Sequence, residues 1–117
     1  LQDRLDCEVT RAPWSDAIAV PEGTDVLINA TSIGLYPDVS GCPPLDFESV
    51  SASTVVADVI PNPPRTPFLG HAEERGCRTI DGLGMLINQG LILIQYLTGI
   101  DPNPTVMRSA LEKVFAE

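Results

Sequence analysis

The chain has 117 residues, a hydrophobic share of 44% and a formal net charge of −9. This length makes one domain at most, and the apolar share argues against a disordered segment. The acidic charge argues against nucleic-acid binding, because phosphates need lysine and arginine for neutralisation. No apolar run approaches the roughly 18 residues of a membrane span. The chain opens on Leu-Gln-Asp-Arg without a leader-like pattern. Because it starts without methionine, on what resembles the tail of a helix, we expect a piece of a longer chain.

The cysteines and the single histidine do not predict a metal site. Cys7, Cys42 and Cys77 are odd in number and far apart, which is typical of free thiols in a reducing compartment. His71 lies in a predicted helix beside acidic residues, where a solvated helix face is the simpler interpretation. We therefore predict no metal ligands and a cytoplasmic protein.

The first half of the chain alternates short apolar runs with irregular segments. Residues 1–5 have the pattern of a last helical turn, and residues 7–10 form a candidate strand. The continuous apolar run at residues 26–28 predicts a strand buried on both faces. Residues 32–53 are rich in Gly, Pro, Ser and Asp, which predicts a long functional loop with one helical turn near residues 45–50.

The second half predicts strands and helices in alternation. A β-branched strand at residues 55–60 is halted by prolines, and a helix from Pro67 to Arg75 follows with Thr66 as its N-cap. A parallel strand at residues 77–80 precedes two helices. The fold class is therefore α/β, a partial Rossmann-like parallel sheet flanked by helices with a C-terminal helical pair. The helices of that pair span about residues 84–98 and 104–116.

Two glycines and one apolar run add detail to these helices. Gly76 and Gly99 are predicted to close the first two helices in the left-handed conformation. The run at residues 91–94, Leu-Ile-Leu-Ile, is apolar all round. We therefore expect it to be buried between layers or at an interface.

Three strand ends carry polar or glycine positions, which predicts a ligand crevice along the carboxyl edge of the sheet. Asn29 and Thr31 follow the first strand, where a side-chain turn that caps the strand is the alternative interpretation. Asp58 is a carboxylate inside an apolar strand, which favours structural hydrogen bonding over catalysis. Gly82 permits close backbone approach and a positive φ, or simply a tight turn.

Three segments in this order resemble the shikimate dehydrogenase family and its quinate-using relatives. They are Asn-Ala-Thr-Ser-Ile-Gly at residues 29–34, the Asp…Thr-Pro-Phe-Leu pattern at residues 58–69, and Asp-Gly-Leu-Gly-Met-Leu-Ile-Asn-Gln at residues 81–89. The resemblance implies that residues 1–117 are the C-terminal portion of a Rossmann-type NAD(P)-binding domain, and that the N-terminal half of the parent is missing. It implies an oxidoreductase of aromatic amino acid biosynthesis, in the chorismate pathway. That enzyme would interconvert 3-dehydroshikimate and shikimate, or the quinate pair, with NADP.

The resemblance also implies roles for individual residues. Val59 would pack against the nicotinamide, and the carbonyl of Gly82 would face its carboxamide. Gln89 would hydrogen-bond the hydroxyl groups of the substrate. The strand-end turn of Asn29, Ala30 and Thr31 would lie along the ribose of the cofactor.

The sequence departs from the family pattern at Pro61, where a tyrosine hydroxyl usually meets the substrate. A quinate-type or another substrate is therefore open. The chain also lacks a Gly-x-Gly-x-x-Gly phosphate loop, the Asn-Arg-Thr segment and the proton-transferring Lys/Asp pair. We accordingly assign no catalytic residue, and we expect the isolated chain to be inactive and to bind NADP weakly or not at all.

Two other functions stay open. A non-catalytic Rossmann-like module would use the same fold for binding or regulation. The segment Asn62-Pro63-Pro64 resembles an amino-methyltransferase signature, although Arg65 stands where that signature has an aromatic residue.

An incomplete sheet has a consequence for assembly. If residues 7–10 and 25–30 are the third and fourth strands of a doubly wound sheet, its central strands are absent. The fourth strand then presents an open edge, and open edges tend to pair with another chain. We expect a homo-oligomer through that edge, or a rearranged N-terminal segment.

Overall fold

The computed structural model describes residues 6–14 and 17–115, and from residue 55 onwards its strands and helices follow in the predicted order. The predicted helical turn at residues 1–5 and the predicted helix end at residue 116 lie outside the described residues. The strands are β1 (Ile18–Ala19), β2 (Val26–Asn29), β3 (Leu45–Asp46), β4 (Val55–Asp58) and β5 (Arg78–Ile80). The helices are α1 (Pro67–Glu74), α2 (Leu83–Thr98) and α3 (Pro104–Phe115), with a 3-10 turn at Phe47–Ser49.

A parallel sheet of three strands, in the order β2-β4-β5, organises the described chain. The register pairs Asn29 with Asp58 and Ala57 with Ile80. Because all three strands run the same way, their carboxyl ends meet at one edge. The sheet therefore brings the predicted polar strand ends together, as an α/β fold with a crevice at that edge requires.

Helix α1 covers one face of the sheet, and the hydrophobic core lies between this helix and the sheet. Thr66 caps it by accepting a hydrogen bond from the Leu69 amide, and Pro67 occupies the first turn. Gly76, at φ +79°, ends it in the left-handed region. The predicted inward residues are confirmed as buried, and each large one contributes about 1.5–3 kcal/mol by leaving water. These residues are Phe68, Leu69 and Ala72, packed with Val50, Val56 and Cys77.

The other face of the sheet is exposed, which corrects the prediction of a strand buried on both faces. Val26 and Ile28 keep 55% and 57% of their accessible surface. The apolar run on α2 is likewise not buried between layers of the described chain, since Ile92 and Leu93 are 69% and 56% exposed. Its burial at an interface, the other alternative, stays a prediction. The sequence pattern requires two covering layers, but the described residues supply only one.

The N-terminal strand prediction is wrong. Residues 7–10 form no strand, and Ile18–Ala19 pairs with Leu45–Asp46 instead. The amide of Ile18 also donates to the carbonyl of Pro44 at 2.8 Å. Residues 7–10 have no described strand beside them, and a strand needs a neighbour to complete its hydrogen bonds.

The C-terminal helical pair is confirmed. Gly99 ends α2 at φ +69°, and α3 packs on α2. Within residues 6–14 and 17–115, no helix combines the length and apolar character needed to cross a membrane.

Candidate functional site

A hydrogen-bond network joins the ends of β2 and β4. The side-chain amide of Asn29 donates to both carboxylate oxygens of Asp58, at 3.2 and 3.3 Å. Its carbonyl oxygen accepts from the backbone amide and the hydroxyl of Thr31, at 3.1 and 2.8 Å. The hydroxyl of Thr31 in turn accepts from the Ile33 amide at 3.1 Å. The strand-capping turn offered as the alternative for Asn29 and Thr31 is therefore present.

Asp58 lies at the centre of this network and is buried. One carboxylate oxygen accepts from the Ile60 amide at 3.0 Å, and the other accepts from the Thr66 hydroxyl at 2.7 Å. All its hydrogen-bond donors among the described residues are neutral groups. The structure therefore gives Asp58 the hydrogen-bonding role that the sequence favours. It ties the start of α1 to the strand ends.

The turn at Gly82 differs from the expectation. Its φ is −73°, so no positive φ is needed. A Cβ there would lie 2.5 Å from the carbonyl carbon of Ile60 and 2.6 Å from that of Val59. Glycine is required at this position because the backbone that follows β4 passes directly against it.

A groove of about 600 Å³ runs from the carboxyl ends of β4 and β5 along α2. Val59 and Gln89 both line it. Gln89 is exposed. Its side-chain amide makes no hydrogen bond to another described residue, so that amide is available to a ligand. The rest of the lining is mixed, with the polar residues Asp58, Asp81 and Asn88 among apolar residues that include Ile80, Met85 and Ile92.

The other predicted site residues do not line this groove. Asn29 and Thr31 line a small apolar cavity of about 180 Å³, on the side of the sheet that carries Phe68. Ala30 is exposed and Pro61 is half-buried. Another groove, of about 580 Å³, lies at the amino ends of β2 and β4 and contains none of the predicted site residues.

Asp81 and Arg108 form a contact that sequence reasoning missed. The Arg108 guanidinium donates to both carboxylate oxygens of Asp81, and its Nε donates to Glu112 at 2.9 Å. The hydrogen bond with Asp81 raises the pKa of Arg108 above its ordinary value. Asp81 precedes Gly82 in a recognisable motif, but its partner is 27 positions further along and no local pattern indicates it.

The cysteines and acidic residues do not form a metal site in the part of the chain that the structure describes. Cys42 lies near Asp58. Burial, with an added contribution from the negative charge of Asp58, raises the pKa of the Cys42 thiol. Its protonated form is therefore favoured at neutral pH.

The parallel sheet, its covering helix and the polar strand ends define an α/β protein of the Rossmann-like class. The C-terminal domain model of shikimate 5'-dehydrogenase matches residues 82–112. The chain is 45% identical to the shikimate dehydrogenase (NADP(+)) of Methanococcus aeolicus over 87 residues, which cover 74% of this chain and 31% of that protein. The chain thus spans about a third of the length of this relative.

Solved structures agree with the sequence matches. A shikimate dehydrogenase in complex with NADP+ matches 82% of this chain and 33% of its own, with 40% identity and a TM-score of 0.77. The ligand-free 5-ketofructose reductase of Gluconobacter sp. strain CHM43 matches 87% of this chain and 36% of its own, with 51% identity and a TM-score of 0.78. In sequence and in structure, the chain resembles about a third of the length of shikimate dehydrogenases.

Proposed function

We propose that residues 1–117 form the C-terminal portion of a Rossmann-type NADP-binding domain, with α2 and α3 as its closing helices. The parent enzyme is then a dehydrogenase that transfers a hydride between NADP and a ketone of a polyhydroxylated ring. The names of the relatives support this, since they are NADP(+)-dependent shikimate dehydrogenases. The observation that carries the proposal is the groove at the carboxyl edge, where Val59 and the unpartnered amide of Gln89 meet.

The groove fits the nicotinamide end of NADP. Val59, Ile80 and Met85 offer apolar surface for a flat ring, and the amides of Asn88 and Gln89 offer hydrogen bonds. The phosphates do not fit, because the 117 residues contain no Gly-x-Gly-x-x-Gly loop. The missing part of the parent would hold them. When bound, the nicotinamide supplies or accepts the hydride.

Each predicted site residue has a distinct task on this proposal. Val59 forms an apolar wall that keeps water from the ring, and Gly82 allows α2 to start directly against the strand ends. Gln89 orients the hydroxyl groups of the substrate. No group of this chain is assigned to proton transfer, which we expect from a Lys/Asp pair in the missing part. The turn of Asn29, Ala30 and Thr31 lies along the cofactor ribose, and the hydrogen bonds around Asp58 hold this turn in place.

Comparing the full-length parent with the isolated chain tests this division of the site. We expect NADP-dependent oxidation of shikimate or quinate by the parent and none by the chain. Titration calorimetry of the isolated chain should detect weak NADP binding or none. Replacing Gln89 by alanine in the parent should raise KM for the substrate while leaving KM for NADP unchanged. Micromolar NADP binding by the isolated chain would contradict the proposal.

A keto-sugar is a second candidate substrate. Among the structural matches, identity to the 5-ketofructose reductase is 51%, compared with 40% for the shikimate dehydrogenase in complex with NADP+. Pro61 supports this candidate, because proline offers no hydroxyl to a substrate where the family usually has tyrosine. The parent should then reduce 5-ketofructose with NADPH at a higher kcat/KM than 3-dehydroshikimate. Replacing Pro61 by tyrosine should shift that ratio towards 3-dehydroshikimate. A parent that prefers 3-dehydroshikimate without the substitution would exclude this candidate.

The open edge of the sheet supports a proposal on assembly. Among the described strands, β2 pairs only with β4, and its apolar face is exposed. We propose that this edge pairs with the missing part of the parent, and with a second copy in the isolated chain. Light scattering should then detect a concentration-dependent oligomer of the isolated chain. A monomer with exchange-protected amides at residues 26–28 would argue against it.

The three free cysteines support a cytoplasmic location for the parent, where thiols stay reduced.

A further inference from the structure

Helix α3 packs on α2, and two of its contacts lie close to the candidate site. The methyl group of Met107 lies against Gly90 of α2, where a Cβ would approach it to 3.0 Å. One residue further, Arg108 reaches past α2 to Asp81, at the end of β5. α3 has no fully buried residue, so it contributes little to the core. The Met107 and Arg108 contacts are the ones through which α3 reaches the start of α2 and the neighbourhood of Gln89.

Asp81 holds the first turn of α2. One of its carboxylate oxygens accepts a hydrogen bond from the Gly84 amide at 3.2 Å, which satisfies a backbone donor that has no partner within the helix. The same oxygen is 3.4 Å from one terminal nitrogen of Arg108, and the other oxygen binds the second. A two-pronged contact of this kind fixes both position and orientation of a carboxylate.

Among the ion pairs of the described residues, Arg108–Asp81 has the least exposed carboxylate. The Asp81 side chain is 26% exposed and that of Arg108 is 39% exposed, whereas the Arg65 and Glu73 side chains of a pair beside α1 are 73% and 37% exposed. Arg65 also binds a single oxygen of Glu73. Fully exposed pairs contribute little because water and salt screen them. The shielded, two-pronged pair is the one located next to Gly82.

We propose that Arg108 is a positioning residue for the nicotinamide end of the site, acting through Asp81 on Gly82 and the first turn of α2. This proposal rests on the proposed function, since it assumes that the groove lined by Asp81 and Gly84 holds the nicotinamide. Arg108 touches neither ligand. Arg108 orients the Asp81 carboxylate, and that carboxylate accepts the hydrogen bond that fixes the first turn of α2. Gln89 is supported separately, because its neighbour Gly90 contacts Met107.

Steady-state kinetics of the full-length parent test the proposal. Arg108→Gln should raise KM for NADP about fivefold, which corresponds to about 1 kcal/mol for a partly shielded pair. The kcat and the KM for the substrate should stay within about twofold, because the Met107 contact remains. Arg108→Lys should recover part of the loss. Asp81→Asn keeps the acceptor for Gly84 but loses the charge, so the Arg108→Gln/Asp81→Asn double variant should be no worse than the more affected single variant.

Glu112→Gln is the matched control, because it removes the other carboxylate from the same guanidinium. It should leave KM for NADP unchanged. The proposal is overturned if Arg108→Gln leaves KM for NADP unchanged, or if the two substitutions add fully in the double variant. An equal rise of KM for both ligands with a large fall in melting temperature would indicate a merely structural role and would also overturn it.

Hydrogen exchange separates this proposal from the proposed function. If the unmodified parent has no NADP-dependent activity with shikimate, quinate or 5-ketofructose, the proposed function fails. The Gly84 amide can still be measured in that parent. Faster exchange in Arg108→Gln, but not in Glu112→Gln, would support control of the turn by Arg108 through Asp81. Unchanged exchange would overturn the positioning role whatever the activity.

Discussion

Replacing Asp58 by alanine should destabilise the protein far more than replacing it by asparagine. Alanine removes the acceptor of three buried donors, which are the Asn29 amide, the Ile60 backbone amide and the Thr66 hydroxyl. Each buried donor left without a partner costs about 1–3 kcal/mol. Removal of a buried negative charge offsets part of this. We expect a net loss of about 3–5 kcal/mol in the free energy of unfolding.

Asparagine preserves the shape of the side chain and most of its contacts. Its carbonyl oxygen can accept from Asn29 and Ile60, as one carboxylate oxygen of Asp58 does now. Its amide can donate to the Thr66 hydroxyl, which already accepts from the Leu69 amide and has a second lone pair. The free energy of unfolding should therefore change by about 1 kcal/mol or less, in either direction.

Urea unfolding of the 117-residue chain, followed by circular dichroism, measures both variants against the unmodified chain. The two substitutions occupy one position and differ in hydrogen-bonding capacity, so each serves as the control for the other. An asparagine variant as unstable as the alanine variant would refute the reasoning, because the charge itself would then be required. So would an alanine variant within about 1 kcal/mol of the unmodified chain.

The remaining predictions each concern a single position. Gly82→Ala should cost about 1–3 kcal/mol or more in urea unfolding, because its Cβ meets rigid backbone. Gly84→Ala, with open space around it, should stabilise α2 by up to about 1 kcal/mol. The raised pKa of the Cys42 thiol should make its alkylation at pH 8 slower than that of an ordinary thiol, and Asp58→Asn should speed it. The raised pKa of Cys42 contributes to the stability of the folded state below the ordinary thiol pKa, and this contribution is lost as the pH rises through the raised pKa. Equal alkylation rates in the unmodified chain and the Asp58→Asn chain would contradict the effect of Asp58. Phe68→Ala should cost about 3–5 kcal/mol, and Ile92→Ala under about 0.5 kcal/mol in the isolated chain, both by urea unfolding.

Helix α1 illustrates what local sequence can predict. Thr66 and Pro67 define its start and Gly76 its end. Thr66 acts through its hydroxyl on a neighbouring amide, and Pro67 and Gly76 act through their own backbone geometry. Such signals need no knowledge of distant residues. The same holds for the order of β4, α1 and β5, and for the Asn29 turn, whose hydrogen bonds join neighbours in the chain.

Exposure could not be predicted in this way. The apolar runs that contain Ile28 and Ile92 are typical of buried segments, and both residues are exposed in the described chain. An apolar pattern indicates that a segment suits burial, but whether it is buried depends on which elements pack against it, and none of the described elements covers these two residues. The misplaced strand at residues 7–10 has a similar cause, because pairing depends on which partner strand is at hand.

The amino-acid sequence by itself determined the class of the protein, the order of its elements from β4 to α3 and the three strand ends where a site would lie. These follow from periodicity, capping residues and motifs that act over a few positions. Only the tertiary structure decided what each polar group binds. It brings the side chain of Asn29 to Asp58 on the neighbouring strand, and that of Arg108 to Asp81, 27 positions away in the sequence. It also packs Gly82 against the backbone of Val59 and Ile60. Contacts of that kind depend on how packed elements meet in space, which no local pattern encodes.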